Sequence, residues 1–218
     1  MSLVERIERE IRRKCEELGL RCVRRDDHPI PVAYNAREKE VHYNPRSLAE
    51  VIDECALLGV RISPEEMVED AIPHELFHLF VIEEVGRSCP ELRHTVGDHF
   101  CQEVVVERRL MESIPRLRRV RDKIHECLRR NMELTISLSP DVFERMIRVT
   151  LSDPSVQTKT TALSNLVSLR EEYLRILPED LRRLAEEVRR VADETARTGD
   201  VCACARRINE LLRREGYA

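Results

Sequence analysis

The chain has 218 residues, 42% of them apolar and 36% charged, with a net charge of −4. That suits one large domain or two small ones with a real core. The charge gives no general attraction to nucleic acid or to anionic membranes, and the longest apolar runs fall far short of a bilayer span.

Aromatic residues are scarce and Trp is absent, so the core must be mostly Leu, Val and Ile. The basic side chains are nearly all Arg, because Lys occurs only at positions 14, 39, 123 and 159. Mixed charges at this density suggest surface ion-pair networks, which hint at a thermophile. The start, Met1 to Arg13, has no apolar core of a signal peptide, so a cytoplasmic protein is expected. In a mesophile cytosol the eight cysteines would mostly be buried thiols, whereas disulfides would suit a hyperthermophile. No Cys-x-x-Cys occurs, which argues against a separate structural zinc site. Cys202 and Cys204 diverge by about 200° on a helix, so packing is the expected role for both.

Helical spacing covers residues 2–19, with Gly19 as the stop. A short strand is expected over 20–25, then a turn over 26–31. Residues 31–35 and 40–44 read as a hairpin around the polar link 36–39. A helix over 46–58 closes at Gly59. Ser63-Pro64-Glu65-Glu66 is a helix start with a capping box. Pro73 interrupts the pattern that follows, so either a kink or a fresh helix is expected there, with residues 74–85 helical. After a loop over 86–96, a helix runs over 97–113 and a very basic one from Pro115 to Arg130. Four more helices are expected over 140–152, 158–176, 178–197 and 199–215. Histidines stop near residue 131, which places a soft boundary between a module at 1–130 and a helical module at 131–218.

The chemistry concentrates in Ile72-Pro73-His74-Glu75-Leu76-Phe77-His78-Leu79-Phe80. On a helix His74 and His78 lie one turn apart on one face, and two imidazoles so placed can chelate one metal ion. Glu75 sits beside them, where a carboxylate could reach a metal-bound water. A catalytic zinc takes three protein ligands. The helix over 97–113 carries His99, Glu103 and Glu107 as one polar stripe, and inward carboxylates on an apolar helix are costly unless paired or metal-bound. Glu103 is the leading third ligand; His99, His94 and Glu107 are the alternatives. The metzincin pattern is absent, because Val81 and Glu84 stand where it needs Gly and His. The same histidines also suit a metal-free helix in which they bond to acids such as Glu103.

His74-Glu75-Leu76-Phe77-His78, followed by a helix with Gln102-Glu103 and Glu107, resembles the gluzincin class of zinc metallopeptidases, most of all its compact archaeal-type members. The resemblance covers about residues 30–112. It implies Zn2+ on His74, His78 and Glu103, with Glu75 as general base and a peptide or protein substrate. Gln102 would be the amide that often precedes the ligand, and Glu107 the acid that orients the first histidine, where the family usually has Asp. It further implies a mainly α (α+β) fold, with a small N-terminal antiparallel sheet or hairpin over a zincin-like helical core and a C-terminal helical bundle. An oxyanion donor is also needed; Tyr34, His42, Tyr43 and His94 are candidates, although cross-strand packing better suits the two tyrosines.

The run from Arg108 to Arg130 is better read as a solvated face paired with Glu65, Glu66, Glu69 and Asp70 than as a phosphate-binding surface. The C-terminal stripes Leu181, Leu184, Val188 and Val191 must bury something; they could cover the catalytic module or join a homodimer. The competing functional class is a latent or inactive zincin-like protein that acts by binding protein or nucleic acid.

Overall fold

The computed structural model describes residues 1–27, 31–35 and 37–217. Ten α-helices, two single-turn 3-10 helices and one three-stranded sheet account for the regular structure among these residues, which makes the fold mainly α with a small sheet. None of the helices is long and apolar enough to cross a membrane. The chain packs as two compact units, Met1–Phe80 with Arg109–Cys127, and Val81–Arg108 with Leu128–Ala218. Neither unit is one continuous stretch. Residue 131 lies inside a helix, α5 (Arg118–Leu138), which runs eight residues past the expected end at Arg130.

The first unit opens with α1 (Leu3–Leu18). Ser2 and Glu5 satisfy each other's backbone N–H groups at 3.2 and 2.7 Å, so the helix begins with a reciprocal cap. It ends at Gly19, whose φ of +65° is left-handed and open to glycine without strain. Ile7, Ile11 and Cys15 form its buried face. The strands are β1 (Arg21–Arg24), β2 (Val32–Asn35) and β3 (Glu40–Tyr43), in the order β1-β3-β2. The hairpin forms as expected, with Tyr34 opposite Val41. β1 then adds to the other edge of β3 in parallel, Cys22 opposite Val41, so the sheet is mixed and not purely antiparallel. Residues 28–30 of the expected turn, and Ala36 of the hairpin link, lie outside the described residues.

Asn44 caps α2 (Pro45–Leu57) by accepting from the N–H groups of Arg46 and Ser47. Leu48, Ile52 and Cys55 of α2 join Val41, Tyr43, Met67 and Ile72 in one apolar core. Ser63 and Glu66 complete the capping box that starts α3 (Pro64–Ser88). α3 passes through Pro73 without interruption, so no fresh helix starts there. The lost N–H leaves the carbonyl of Glu69 without its usual helical donor, which one turn of a long helix can tolerate.

The second unit contains α4 (Val96–Ser113) as far as Arg108, α6 (Pro140–Ser152), α7 (Val156–Ser168), α8 (Glu171–Leu174), α9 (Glu179–Thr198) and α10 (Val201–Arg214). α6 packs on α7, α7 on α9 and α9 on α10. Leu181, Leu184, Val188 and Val191 are all buried, as their spacing requires. The single helix expected over 158–176 is two, because the backbone turns extended at Leu169 and Arg170. The Arg170 guanidinium there forks onto the buried carboxylate of Glu133, at 2.7 and 2.5 Å. A charged group in that pairing fixes the break better than helix propensity could continue it.

The eight cysteines are disulfide-bonded and not buried thiols: Cys15–Cys22, Cys55–Cys127, Cys89–Cys202 and Cys101–Cys204. The divergence of Cys202 and Cys204 on α10 serves a purpose that packing alone did not suggest. Each reaches a different partner, one in the segment after α3 and one on α4.

Candidate metal centre

The capping box at Ser63 sets the phase of α3, and that phase places Asp70, His74 and His78 along one line at successive turns. His74 is buried at 8% exposure, and its ring meets that of His78 edge to face, with centroids 4.9 Å apart. Their Nε2 atoms lie 3.2 Å apart. Two ligands about 2.0 Å from a tetrahedral ion stand about 3.3 Å apart, so this separation suits a shared metal. Glu75 is half-buried on the adjoining azimuth of α3.

The other nitrogen of His74 has a partner the sequence did not announce. Nδ1 lies 2.5 Å from Nη2 of Arg121 on α5, within the same unit. Nε of Arg121 lies 3.1 Å from Oδ1 of Asp70. Asp70 and Arg121 keep only 3% and 12% of their side-chain surface, so this is a nearly dry ion pair. Metal-bound histidines usually donate their second N–H to a carboxylate or carbonyl. Here the facing group is a guanidinium, which has donors only. The spacing of the histidines therefore fits an ion, while the contact at Nδ1 does not yet fit it. Asp70 was already among the acids expected to pair with the basic stretch, and its place one turn before His74 was the available signal.

That basic stretch behaves as its charge pattern suggested. Lys123 pairs with Glu66 at 2.5 Å and Arg116 with Glu69 at 3.4 Å. Burial alone would raise the Glu69 carboxyl, but hydrogen bonds from Lys14 and Arg13 outweigh it and hold the group below the usual carboxylate range. Burial likewise would raise the Glu66 carboxyl, but hydrogen bonds from Lys123 and the Ser63 N–H outweigh it and hold the group below its ordinary range.

Glu103 and Glu107 are half-buried residues of α4 in the second unit. Glu103 offers a carboxylate oxygen, the donor type that the resemblance assigns to the third ligand. Gln102 spends its amide on Asp98, donating from Nε2 at 2.6 Å. His99 pairs loosely with His94, ring centroids 6.5 Å apart; His94 has a left-handed φ of +63°, and its N–H donates to Asp98. Among the candidate oxyanion donors, Tyr43 is a core residue at 3% exposure and Tyr34 packs on the same core. His42 meets Glu40 at 3.2 Å. Glu38, Glu40 and His42 form another group with metal-ligand chemistry on the hairpin, but Glu40 is already engaged by Arg21 at 2.6 Å.

No protein-family model, no curated protein and no solved structure matches the chain.

Proposed function

We propose that the chain is a zinc-dependent metallopeptidase, with His74, His78 and Glu103 as ligands and Glu75 as general base. The observation that carries the reading is the 3.2 Å separation of the two Nε2 atoms within a His-Glu-x-x-His helix. A divalent ion held there supplies Lewis acidity and brings the pKa of water toward about 7. Glu75 takes the proton of the attacking water and delivers it to the leaving amine. Glu107 is the acid assigned to orient a ligand, as the family resemblance implies. β2 pairs on one side only among the described residues, so its outer edge can receive an extended peptide by strand addition.

The test combines metal analysis and catalysis. Protein purified without added zinc should carry stoichiometric metal or bind it tightly, and should cleave members of a diverse peptide library. Glu75→Gln should retain the metal and lose hydrolysis, and Glu103→Ala should lose the metal. Zinc-loaded wild type that cleaves nothing would sink the peptidase reading.

A second reading rests on Arg121. Its guanidinium, which only donates, faces Nδ1 of His74, where a metal-bound histidine usually meets an acceptor. On that reading the chain is a latent or inactive zincin-like protein that acts by binding a macromolecule.

A further inference from the structure

We infer that Arg121 is a positioning residue that latches the metal centre: a divalent ion enters only when Arg121 leaves Nδ1 of His74. The inference rests on the metal-centre reading above and adds a control to it.

The polarity of the contacts carries the argument. A guanidinium offers five N–H donors and no acceptor, so the atom that faces Nη2 must present a lone pair. That atom is Nδ1 of His74. A neutral imidazole with a bare Nδ1 carries its proton on Nε2. Nε2 of His74 then donates across the 3.2 Å gap to Nε2 of His78. Both lone pairs that an ion needs are thereby occupied, one by a proton and one by a hydrogen bond. For His74 to become a ligand, its ring must lose the proton on Nε2 and gain one on Nδ1, with no net change of charge. The new N–H would point at the N–H of Arg121, so the arginine must turn away.

Asp70 explains why Arg121 stands where it does and what replaces it. Its carboxylate holds Nε of Arg121 at 3.1 Å. It also lies one turn before His74 on α3, the spacing at which side chains meet. Once Arg121 swings out, Asp70 is the neighbouring acceptor for an Nδ1–H, and a carboxylate is the usual partner of a metal-bound histidine. Asp70 thus serves the closed state through Arg121 and the open state through His74.

The test uses the full chain. In metal-free wild type, long-range nitrogen–proton NMR of the histidine rings should show His74 protonated on Nε2, and zinc titration should move that signature to Nδ1–H. Arg121→Gln offers an amide oxygen that accepts an Nδ1–H. By competition with a chromophoric chelator it should bind zinc about 10- to 100-fold more tightly than wild type. Arg121→Lys, which still only donates, should stay near the wild-type affinity. Asp70→Asn/Arg121→Gln removes the buried charge that the single change exposes; it should also bind more tightly than wild type, which keeps the test open if Arg121→Gln folds poorly. A metal-free His74 with its proton on Nδ1, or equal zinc affinities in wild type and both glutamine variants, overturns the latch and leaves the metal centre standing. Zinc binding by none of them overturns the metal-centre reading and the latch with it.

Discussion

Arg148 on α6 shows how single charges are used away from the centre. It donates to both carboxylate oxygens of Asp180, at 2.7 and 3.0 Å, and to Glu144 at 2.8 Å. The hydrogen bond from Arg148 holds the Asp180 carboxyl below its ordinary range. The folded chain therefore releases this proton more readily than the unfolded one. The stability lent by the pair is complete above about pH 4 and fades as the pH falls through the lowered value. Asp180→Asn should lower the melting temperature at neutral pH and bring it close to wild type near pH 2. A constant gap between the two melting curves across that range would contradict the assignment. Residues of this kind were legible in the sequence as charge density but not as pairs. The same holds at the centre: His74, Glu75 and His78 announce themselves by spacing, whereas Arg121 is 47 positions from its partner and lies in a run of similar arginines.

The elements were easier to read where a local rule sets their ends. Ser63 caps α3 as its sequence suggests, Ser2 and Asn44 cap α1 and α2, and Gly19 and Gly199 end α1 and α9 with left-handed φ. β1 was legible as a strand, but its parallel place beside β3 depends on a partner about twenty residues away and leaves no local mark. The break at Arg170 is likewise set from a distance, by Glu133 on α5. One element contact admits a direct test. At Gly97 on α4, an added Cβ would stand 2.3 Å from the carbonyl oxygen of Ala205 on α10. The Gly97 N–H also donates to Oδ1 of Asn209 at 2.9 Å, so the two backbones are held in close approach. Gly97→Ala should force the helices apart and cost roughly 1–3 kcal/mol or more, read from chemical denaturation. Unchanged stability would show that α4 and α10 do not meet this closely.

For the whole molecule, disulfides are the feature that composition left open. Eight cysteines in a chain without Cys-x-x-Cys fix neither pairing nor redox state, and the pairs span up to 113 residues. Two of them overlap. Once Cys89–Cys202 is closed, Cys101–Cys204 closes a ring made only of the twelve residues from 89 to 101 and the two from 202 to 204. Chain entropy assigns about 3 kcal/mol to a ring of that size and about 4.7 kcal/mol to one near a hundred residues. Cys204→Ser should therefore cost about 3 kcal/mol, and a further Cys202→Ser should cost more than the first change did. Denaturant curves of the single and double variants check this; a first loss larger than the second would contradict the nested arrangement. In denaturant without reductant, no cysteine should react with a maleimide.

The same overlap has a consequence in time. At about 5–20 residues per second of synthesis, Cys89 waits roughly 6–20 s for Cys202 to be made, and Cys101 waits nearly as long. Cys55 is still waiting for Cys127 during part of that interval. The growing chain therefore carries three unmatched thiols at once, any two of which can join before their partners exist. Arrival at the four native bonds depends on undoing such early unions, a step that takes seconds to hours, so the clock of maturation is set by exchange of bonds and not by the helices they fasten.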